Sequence, residues 1–468
     1  MTRKIVTLLT LFVLAAGCTM VPPYQRPEAP IPDSWPSGPS YRDGPDGPAG
    51  AAADEVLWRE FFVDERLRAI IAAALANNRD LRAAALNVER ARALYRIQRA
   101  ELLPIVDAAG SGTKARVPFD LSGTGRSETF EQYRAELGIA SWEIDFFGRI
   151  RSLEQRALEE YLATEQARRS AQILIVSEVA NAYLILAANR ENLQLAQSTL
   201  EAQQASYNLI RRRFEVGIVP ALDLRQVQTR VDTARVDVAR YTELAAKNEN
   251  ALNLLVGAPV PADWLPDGLS AVAPLPDVPP GASSEILLRR PDVLQAESLL
   301  KAANADIGAA RAAFFPRISL TTAVGTASEQ LTGLFRSGST AWNFTPAAVM
   351  PIFDPRIWAA LDVSEVQQQI ALNQYESAIQ AAFREVADAL ARRGTMAEQM
   401  AAQQSLVDAT AATYRLSNAR YEKGSDIYLN VLDAQRSLYS AQQGLIAIRL
   451  VKLVNQVRLY AALGGGAV

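Results

Sequence analysis

The chain has 468 residues, enough for more than one domain, and a formal net charge of -3, with one cysteine and no histidine. Without histidine, a Ser-His-Asp triad, a histidine general base and a histidine metal ligand are excluded, and one cysteine excludes an internal disulfide and a cysteine-rich zinc site. Nucleic-acid binding requires a basic excess or patch, so the nearly balanced charge argues against nucleic acid as a partner.

Residues 1–17 are predicted to be a signal peptide. Arg3 and Lys4 precede an apolar run that is too short for a transmembrane helix. The run ends in Leu-Ala-Ala-Gly-Cys, which is typical of a bacterial lipobox, and Cys18 occupies the position that this motif lipidates. The pattern predicts a covalent lipid, such as palmitate, on Cys18. Thr19 is not the aspartate of an inner-membrane retention signal, which favours the outer membrane; an ordinary signal peptide is the alternative.

The next segment, residues 18–56, is rich in Pro, Gly, Ser and Asp, a composition that does not build a packed element. We interpret it as a tether running from the lipid anchor. Residues 57–103 then have a helical pattern with a weak point at Asn77-Asn78, and Pro104 ends it.

Residues 105–142 change to strand-like alternation and predict a β-hairpin with a Gly-rich loop. In its second strand apolar positions such as Leu137 and Ile139 alternate with polar ones such as Arg134 and Glu136. One apolar and one polar face fit a lipid-facing barrel strand. A soluble hairpin with one solvated face is the alternative that this hairpin alone leaves open.

A stretch free of proline follows from Gly148 to about Arg213, and as one helix it would span about 100 Å. A short turn at 214–222 leads into a second helix with a heptad seam, which predicts a coiled-coil-like pair. We treat residues 57–256 as a first structural repeat. The Pro/Gly-rich residues 257–284 form a connector after it.

Residues 285–468 repeat the same plan. A helix opens at Arg290-Pro291-Asp292, with proline at an early helical position, and ends before a second predicted hairpin at 317–350. Another long helix reaches a turn at 421–428 and a last helix follows. At a constant offset of 207, five pairs of identical residues mark the two turns: Arg213 and Arg420, Glu215 and Glu422, Gly217 and Gly424, Leu222 and Leu429, Gln228 and Gln435. The sequence therefore predicts an internal two-fold repeat.

Strand counting predicts an oligomer. Four strands are too few for a closed barrel with a lumen, and open strand edges are not tolerated in lipid. Several chains must therefore pool their strands in a ring. The predicted fold class is mainly α, with a membrane β-barrel shared between chains.

The lipobox, the segment Leu-Arg-Arg-Pro-Asp-Val at 288–293, the run SWEIDFFGR at 141–149 and the paired turns resemble the TolC-like outer-membrane factors of bacterial tripartite (RND-type) efflux systems, in their lipoprotein branch. The resemblance covers essentially the whole mature chain. It implies a homotrimer with a shared twelve-stranded barrel in the outer membrane of a Gram-negative bacterium and a long α-helical periplasmic barrel. It also implies a passive exit duct for small molecules or ions, served by a periplasmic adaptor and an inner-membrane transporter, with no enzyme activity and no cofactor besides the lipid on Cys18.

The resemblance also assigns a periplasmic gate. Relatives begin the last helix with two acids three residues apart; here these positions hold Asn430 and Asp433, so one carboxylate remains. Relatives tie the closed tip with a tyrosine bonded to an aspartate, which correspond here to Tyr421 and Asp223. A basic residue often joins that network, but Asp426 occupies its position, so that link is lost or inverted and the two acids would repel if close. A solvated carboxylate near a helix N-terminus is the alternative for Asp433.

The turns are also the expected adaptor contact, at Gly217, Leu222, Gly424 and Leu429. Two other functions remain open at this point. Periplasmic lipoprotein adaptors also carry helical hairpins, although usually one hairpin flanked by β-rich domains. A glycosidase with paired carboxylates is disfavoured because no carboxylate pair here lies in a pocket-like sequence context.

Overall fold

The computed structural model describes residues 19–41, 55–279 and 283–466, so the signal peptide, Cys18 and part of the predicted tether lie outside the described residues. The described residues contain eight α-helices: Trp58–Phe61 (α1), Glu65–Asn77 (α2), Arg79–Ala100 (α3), Arg149–Glu215 (α4), Ala221–Val256 (α5), Pro291–Ala312 (α6), Pro355–Glu422 (α7) and Tyr428–Ala462 (α8). They also contain four β-strands: Val106–Val117 (β1), Glu128–Ile144 (β2), Arg317–Ser328 (β3) and Thr340–Val349 (β4). This mainly helical chain with four strands confirms the predicted fold class.

The helical pattern before the first hairpin is divided into three helices rather than one. Asp64 accepts a hydrogen bond from the Leu67 amide at 3.0 Å and caps α2. Asn78 accepts from the Leu81 amide at 2.9 Å and begins α3 in the same way. The second break lies at the predicted weak point, whereas the first was not predicted.

The four strands form one antiparallel sheet in the order β1-β2-β3-β4. The pairing of β2 with β3 therefore joins the hairpins of the two sequence repeats in one sheet. A bulge shifts the register between Ile139 and Trp142, where Ser141 has a φ of 55°. Within the described residues β1 and β4 each have one strand neighbour, so both are sheet edges.

The chain divides into two compact units. Of the described residues, the first contains 19–28, Val88–Thr164 and Ala296–Tyr375, and with them the sheet. Within it the described N-terminal residues lie against α6, where Arg26 and Tyr24 donate hydrogen bonds to the nearly buried Glu297 carboxylate. Burial alone would raise the pKa of Glu297, but bonds from Arg26 and Lys301 bring it below its usual value. This part of the predicted tether is thus packed against the unit.

Of the described residues, the second unit contains 29–41, 55–87, 165–279, 283–295 and 376–466. In its core Tyr460 stacks on Phe61 with ring centroids 4.0 Å apart, and both side chains are buried. The buried Arg290 donates to the Asp292 and Glu385 carboxylates and to the Ala462 carbonyl oxygen at 2.7 Å. This arginine from the segment at 288–293 thus ties α6 to α7 and α8.

The two longest helices, α4 and α7, contain 67 and 68 residues, so each spans about 100 Å. One stretch of α4 is long and apolar enough, by length and composition alone, to cross a bilayer, and half of that stretch is buried inside the structure. The predicted heptad seam of α5 is buried at Val227, Val231, Ala234 and Leu252. That seam is therefore core packing.

Candidate functional site

Two short turns in the second unit contain the predicted gate residues. Tip one, residues 216–220, joins α4 to α5, and tip two, residues 423–427, joins α7 to α8. Gly217 and Gly424 have φ values of 80° and 71°, the left-handed region that favours glycine. In each tip the glycine amide bonds the carbonyl three residues back and the next amide bonds the carbonyl five back, all at 2.9 Å. The duplicated sequence therefore gives a duplicated backbone.

Asp426 organises the side chains of tip two. Its carboxylate accepts from the Ile427 amide at 2.8 Å and from the Asn430 side-chain amide at 2.6 Å, and it lies 3.4 Å from the Arg420 Nε. The Ile427 amide, then Asn430 and Arg420, hold the pKa of Asp426 below its usual value. A carboxylate before the first turn of α8 is also favoured by the helix dipole. We call this arrangement of Asp426, Arg420 and Asn430 the tip-two clamp.

The clamp combines the two departures from the family pattern. Asn430 replaces one acid of the expected pair, and Asp426 replaces the expected basic residue, yet the two side chains bond each other. Asp426 is neutralised by Arg420, so the repulsion between Asp426 and Asp223 considered from the sequence does not describe its environment here.

Tyr421 is bonded to a residue of the other helical pair, α4 and α5, but this residue is Arg213 and not the expected Asp223. Its hydroxyl accepts a hydrogen bond from Arg213 Nη1 at 2.9 Å, and the guanidinium carbon lies 5.7 Å from the ring centroid. The ring also contacts Tyr428, with centroids 4.8 Å apart. Among the described residues the Asp223 carboxylate has no hydrogen-bond or ion-pair partner, so Tyr421 is bonded to Arg213 and not to Asp223 within this chain.

Asp433 lies in the second turn of α8 and is exposed. Its carboxylate pairs with Arg436 three residues later, and both side chains are about 60% exposed. An exposed pair of this kind is worth little to stability. The remaining carboxylate of the predicted gate is therefore accessible but accompanied by a cation.

Apolar side chains are exposed around both tips. Leu222 is 64% and Leu429 is 48% exposed, which places both predicted adaptor-contact leucines at the surface of the chain. Three further exposed side chains belong to the same turns: Val216, Ile218 and Ile427. Exposed clusters of large apolar groups mark interaction surfaces.

Sequence reasoning missed the three arginines that partner the gate residues. Arg213 and Arg420 occupy equivalent repeat positions, so the repeat itself was a signal that both act at the tips. Arg436 lies three residues after Asp433, a spacing at which helical side chains meet. Among the described residues there is no group of His, Cys, Asp or Glu side chains that could hold a metal ion.

Comparison with known proteins identifies the family. The profile of the family "Outer membrane efflux protein" matches residues 70–258 and 282–465. The toluene efflux pump outer membrane protein TtgC of Pseudomonas putida is 49% identical over 467 residues, covering 100% of this chain and 96% of TtgC. The outer membrane protein OprJ of Pseudomonas aeruginosa is 42% identical over 463 residues, covering 98% of this chain and 95% of OprJ.

A solved structure supports the same family assignment. The open state of the Neisseria gonorrhoeae MtrE outer membrane channel superposes with a TM-score of 0.86 at 37% identity, covering 96% of this chain and 99% of that one. The alternative of a periplasmic adaptor is not supported, because the family match falls in both repeats and these relatives are outer-membrane proteins. The chain belongs to the outer membrane efflux protein family, and it is a TolC-like outer-membrane efflux channel of a tripartite pump.

Proposed function

We propose that three copies of this chain form the channel, anchored by lipid on Cys18, and that it passes molecules without catalysing a reaction. The free edges of β1 and β4 support the proposal, because pairing β4 of one copy with β1 of the next would close a barrel of twelve strands. The mass of the complex in detergent tests it. Three chains are expected, and a stable monomer would contradict it.

The partners follow from the proposed role. A channel in the outer membrane has no energy source of its own, so an inner-membrane transporter drives export and a periplasmic adaptor connects the two. The exposed leucines Leu222 and Leu429, next to Gly217 and Gly424, are the proposed adaptor contact. TtgC is named for toluene efflux, and we propose that this channel likewise passes small organic molecules.

The tips are the proposed gate at the periplasmic end. The tip-two clamp is the observation that supports it, because it fixes the start of α8, on which Asp433 lies one turn further on. The Arg213–Tyr421 bond connects the end of α7, next to tip two, to the end of α4, next to tip one. In a trimer, three copies of Asp433 would place like charges around one opening, and Arg436 would moderate them.

Single-channel recording in planar bilayers tests the charge at the gate. Asp433→Ala removes the carboxylates and is expected to weaken block by multivalent cations. Arg436→Ala leaves the same carboxylates unpaired and is expected to strengthen it. Asp408→Ala is the matched control, since Asp408 is an exposed carboxylate of α7 away from the tips. Block that is unchanged in both variants, or that shifts in the same direction, would count against the gate.

A further inference from the structure

We propose that a cavity in the first unit binds one phospholipid of the inner leaflet of the outer membrane, with its phosphate on Arg317. The cavity has a volume of about 500 Å³ and lies where the strands give way to helices. It is lined by the end of β2, the start of β3, the end of β4 and the adjoining ends of α4, α6 and α7. The proposal is independent of the gate, because it concerns another unit of the chain.

The rim of the cavity contains two carboxylates, Glu143 and Asp145, and two guanidinium groups, Arg149 and Arg317. Glu143 accepts two hydrogen bonds from Arg149, at 2.9 and 2.8 Å, and lies 3.3 Å from the Nε of Arg317. One carboxylate thus faces two guanidinium groups. The other lining carboxylate, Asp145, is paired with Arg151 at 3.3 Å and also attracts Arg149, which leaves Arg317 as the exposed cation of the rim.

Arg317 has hydrogen-bond donors that its ion pair with Glu143 does not use. Its side chain is 62% exposed, whereas Glu143 is 16% exposed. Among the described residues its only partner is Glu143, reached through Nε, so both terminal nitrogens are available. A guanidinium group binds a phosphate through two parallel hydrogen bonds, which matches a lipid phosphodiester.

The walls of the same cavity are apolar. Phe315 stacks on Phe147 with centroids 4.8 Å apart, and Ile357 from α7 completes the wall. A free phosphate ion would make no use of such a surface, whereas an acyl chain would. Basic pockets beside apolar surface are what bind lipid head groups at membrane interfaces.

The surroundings place the cavity at a membrane interface. Four large apolar side chains next to it, beyond the end of β4, are at least half exposed: Met350, Ile352, Phe353 and Trp358. Exposed apolar groups at this density need a non-aqueous neighbour, and aromatic side chains favour the head-group level. The strands contain 10 to 17 residues, and about 9–11 residues cross the hydrocarbon, so their ends lie at its boundary.

The leaflet follows from the side on which the helices lie. The cavity is at the strand ends that continue into α4, α6 and α7, and the helical part of an outer-membrane efflux channel lies in the periplasm. The leaflet at that level contains phospholipid. The ligand is therefore a glycerophospholipid whose accessible phosphate meets the terminal nitrogens of Arg317.

Native mass spectrometry of the full-length channel, titrated with phosphatidylglycerol in detergent, tests the site. The unmodified protein is expected to retain one lipid per chain. Arg317→Gln is expected to weaken binding about tenfold, because a charge-assisted hydrogen-bonded pair is lost. Arg356→Gln is the matched control: Arg356 lies at the same junction, pairs with Asp354 and does not line the cavity.

A second variant fills the cavity and leaves the charge of Arg317 unchanged. Ile357→Trp is expected to reduce lipid binding while the channel still assembles with its normal mass, and it decides the matter if Arg317→Gln fails to fold. Equal lipid binding by Arg317→Gln and Arg356→Gln would overturn the proposal, as would full binding by Ile357→Trp. Displacement of the lipid by millimolar inorganic phosphate would also overturn it, since it would show a simple anion site.

Discussion

The two tips have one backbone and two different sets of side-chain contacts. Both turn through a glycine at positive φ with the same pair of hydrogen bonds. In tip one, residues 219 and 220 are Val-Pro, and Pro220 precedes the first residue of α5 with its φ fixed by the ring. In tip two the equivalent residues are Asp-Ile, and the carboxylate of Asp426 holds the turn.

The comparison separates two roles within a duplicated element. Both tips expose apolar side chains for the proposed adaptor contact, and the charge and hydrogen bonds of tip two are what support its proposed role in the gate. Arg213 connects the two tips, because it lies at the end of α4 and binds Tyr421 at the end of α7. A polar network of this kind can be broken by a single substitution.

The largest expected effects test the shared backbone. Replacing Gly217 or Gly424 by alanine meets no atom within 4 Å, so only the cost of positive φ remains, about 1–2 kcal/mol at each site. Amide hydrogen exchange in each tip measures this loss of local stability. Gly123→Ala is the control, also in open space but without positive φ, and should cost nothing comparable in its own loop. Costs that differ widely between the two tips would break the comparison.

A smaller effect is expected at the connection between the tips. Tyr421→Phe removes the acceptor for Arg213 but keeps the ring contact with Tyr428, so tip two should loosen by about 1 kcal/mol. The open fraction would rise roughly fivefold, which antibiotic entry into cells can report. Tyr414→Phe is the matched control, because the Tyr414 hydroxyl has no hydrogen bond among the described residues. Equal entry in both variants would refute the connection.

The sequence predicted the backbone of these tips better than their contacts. The repeated glycines, the missing prolines and the apolar seam are local or periodic signals, and they placed the turns and the long helices. The Arg213–Tyr421 bond joins residues far apart in the chain, and one sequence contains no signal for such a pairing. Within this chain Tyr421 is bonded to Arg213, and the bond to Asp223 expected from the family stays a prediction.

Two other features of the fold that the sequence did not predict also have physical causes. The bulge at Ser141 depends on how β2 meets β3, which is tertiary, and the helix break at Asp64 depends on one capping hydrogen bond. The bond between Asp426 and Asn430 was accessible, since the two lie four residues apart at a helix start. It was missed because each residue was judged only against the family pattern.

The pH dependence of tip two is the smallest predicted effect. The lowered pKa of Asp426 means that its ionised form favours the folded clamp, so the contribution is present above the ordinary carboxyl pKa and is lost as the pH falls through the lowered one. Asn430→Ala removes one donor and should move the pKa of Asp426 back upward. Carboxyl NMR of the aspartate-labelled channel measures the pKa of Asp426 in the unmodified protein and in Asn430→Ala. An unchanged pKa in Asn430→Ala would show that Asn430 does not support the clamp.

The measurement that tests the central claim most directly is single-channel recording of Asp426→Ala beside Asp223→Ala. Loss of the clamp removes the hydrogen bonds that Asp426 accepts at the start of α8, so Asp426→Ala should raise the fraction of time open severalfold. Asp223, whose carboxylate has no partner among the described residues, should behave as the unmodified channel when replaced. Opening caused by Asp223→Ala and not by Asp426→Ala would contradict the account and restore the latch expected from the family.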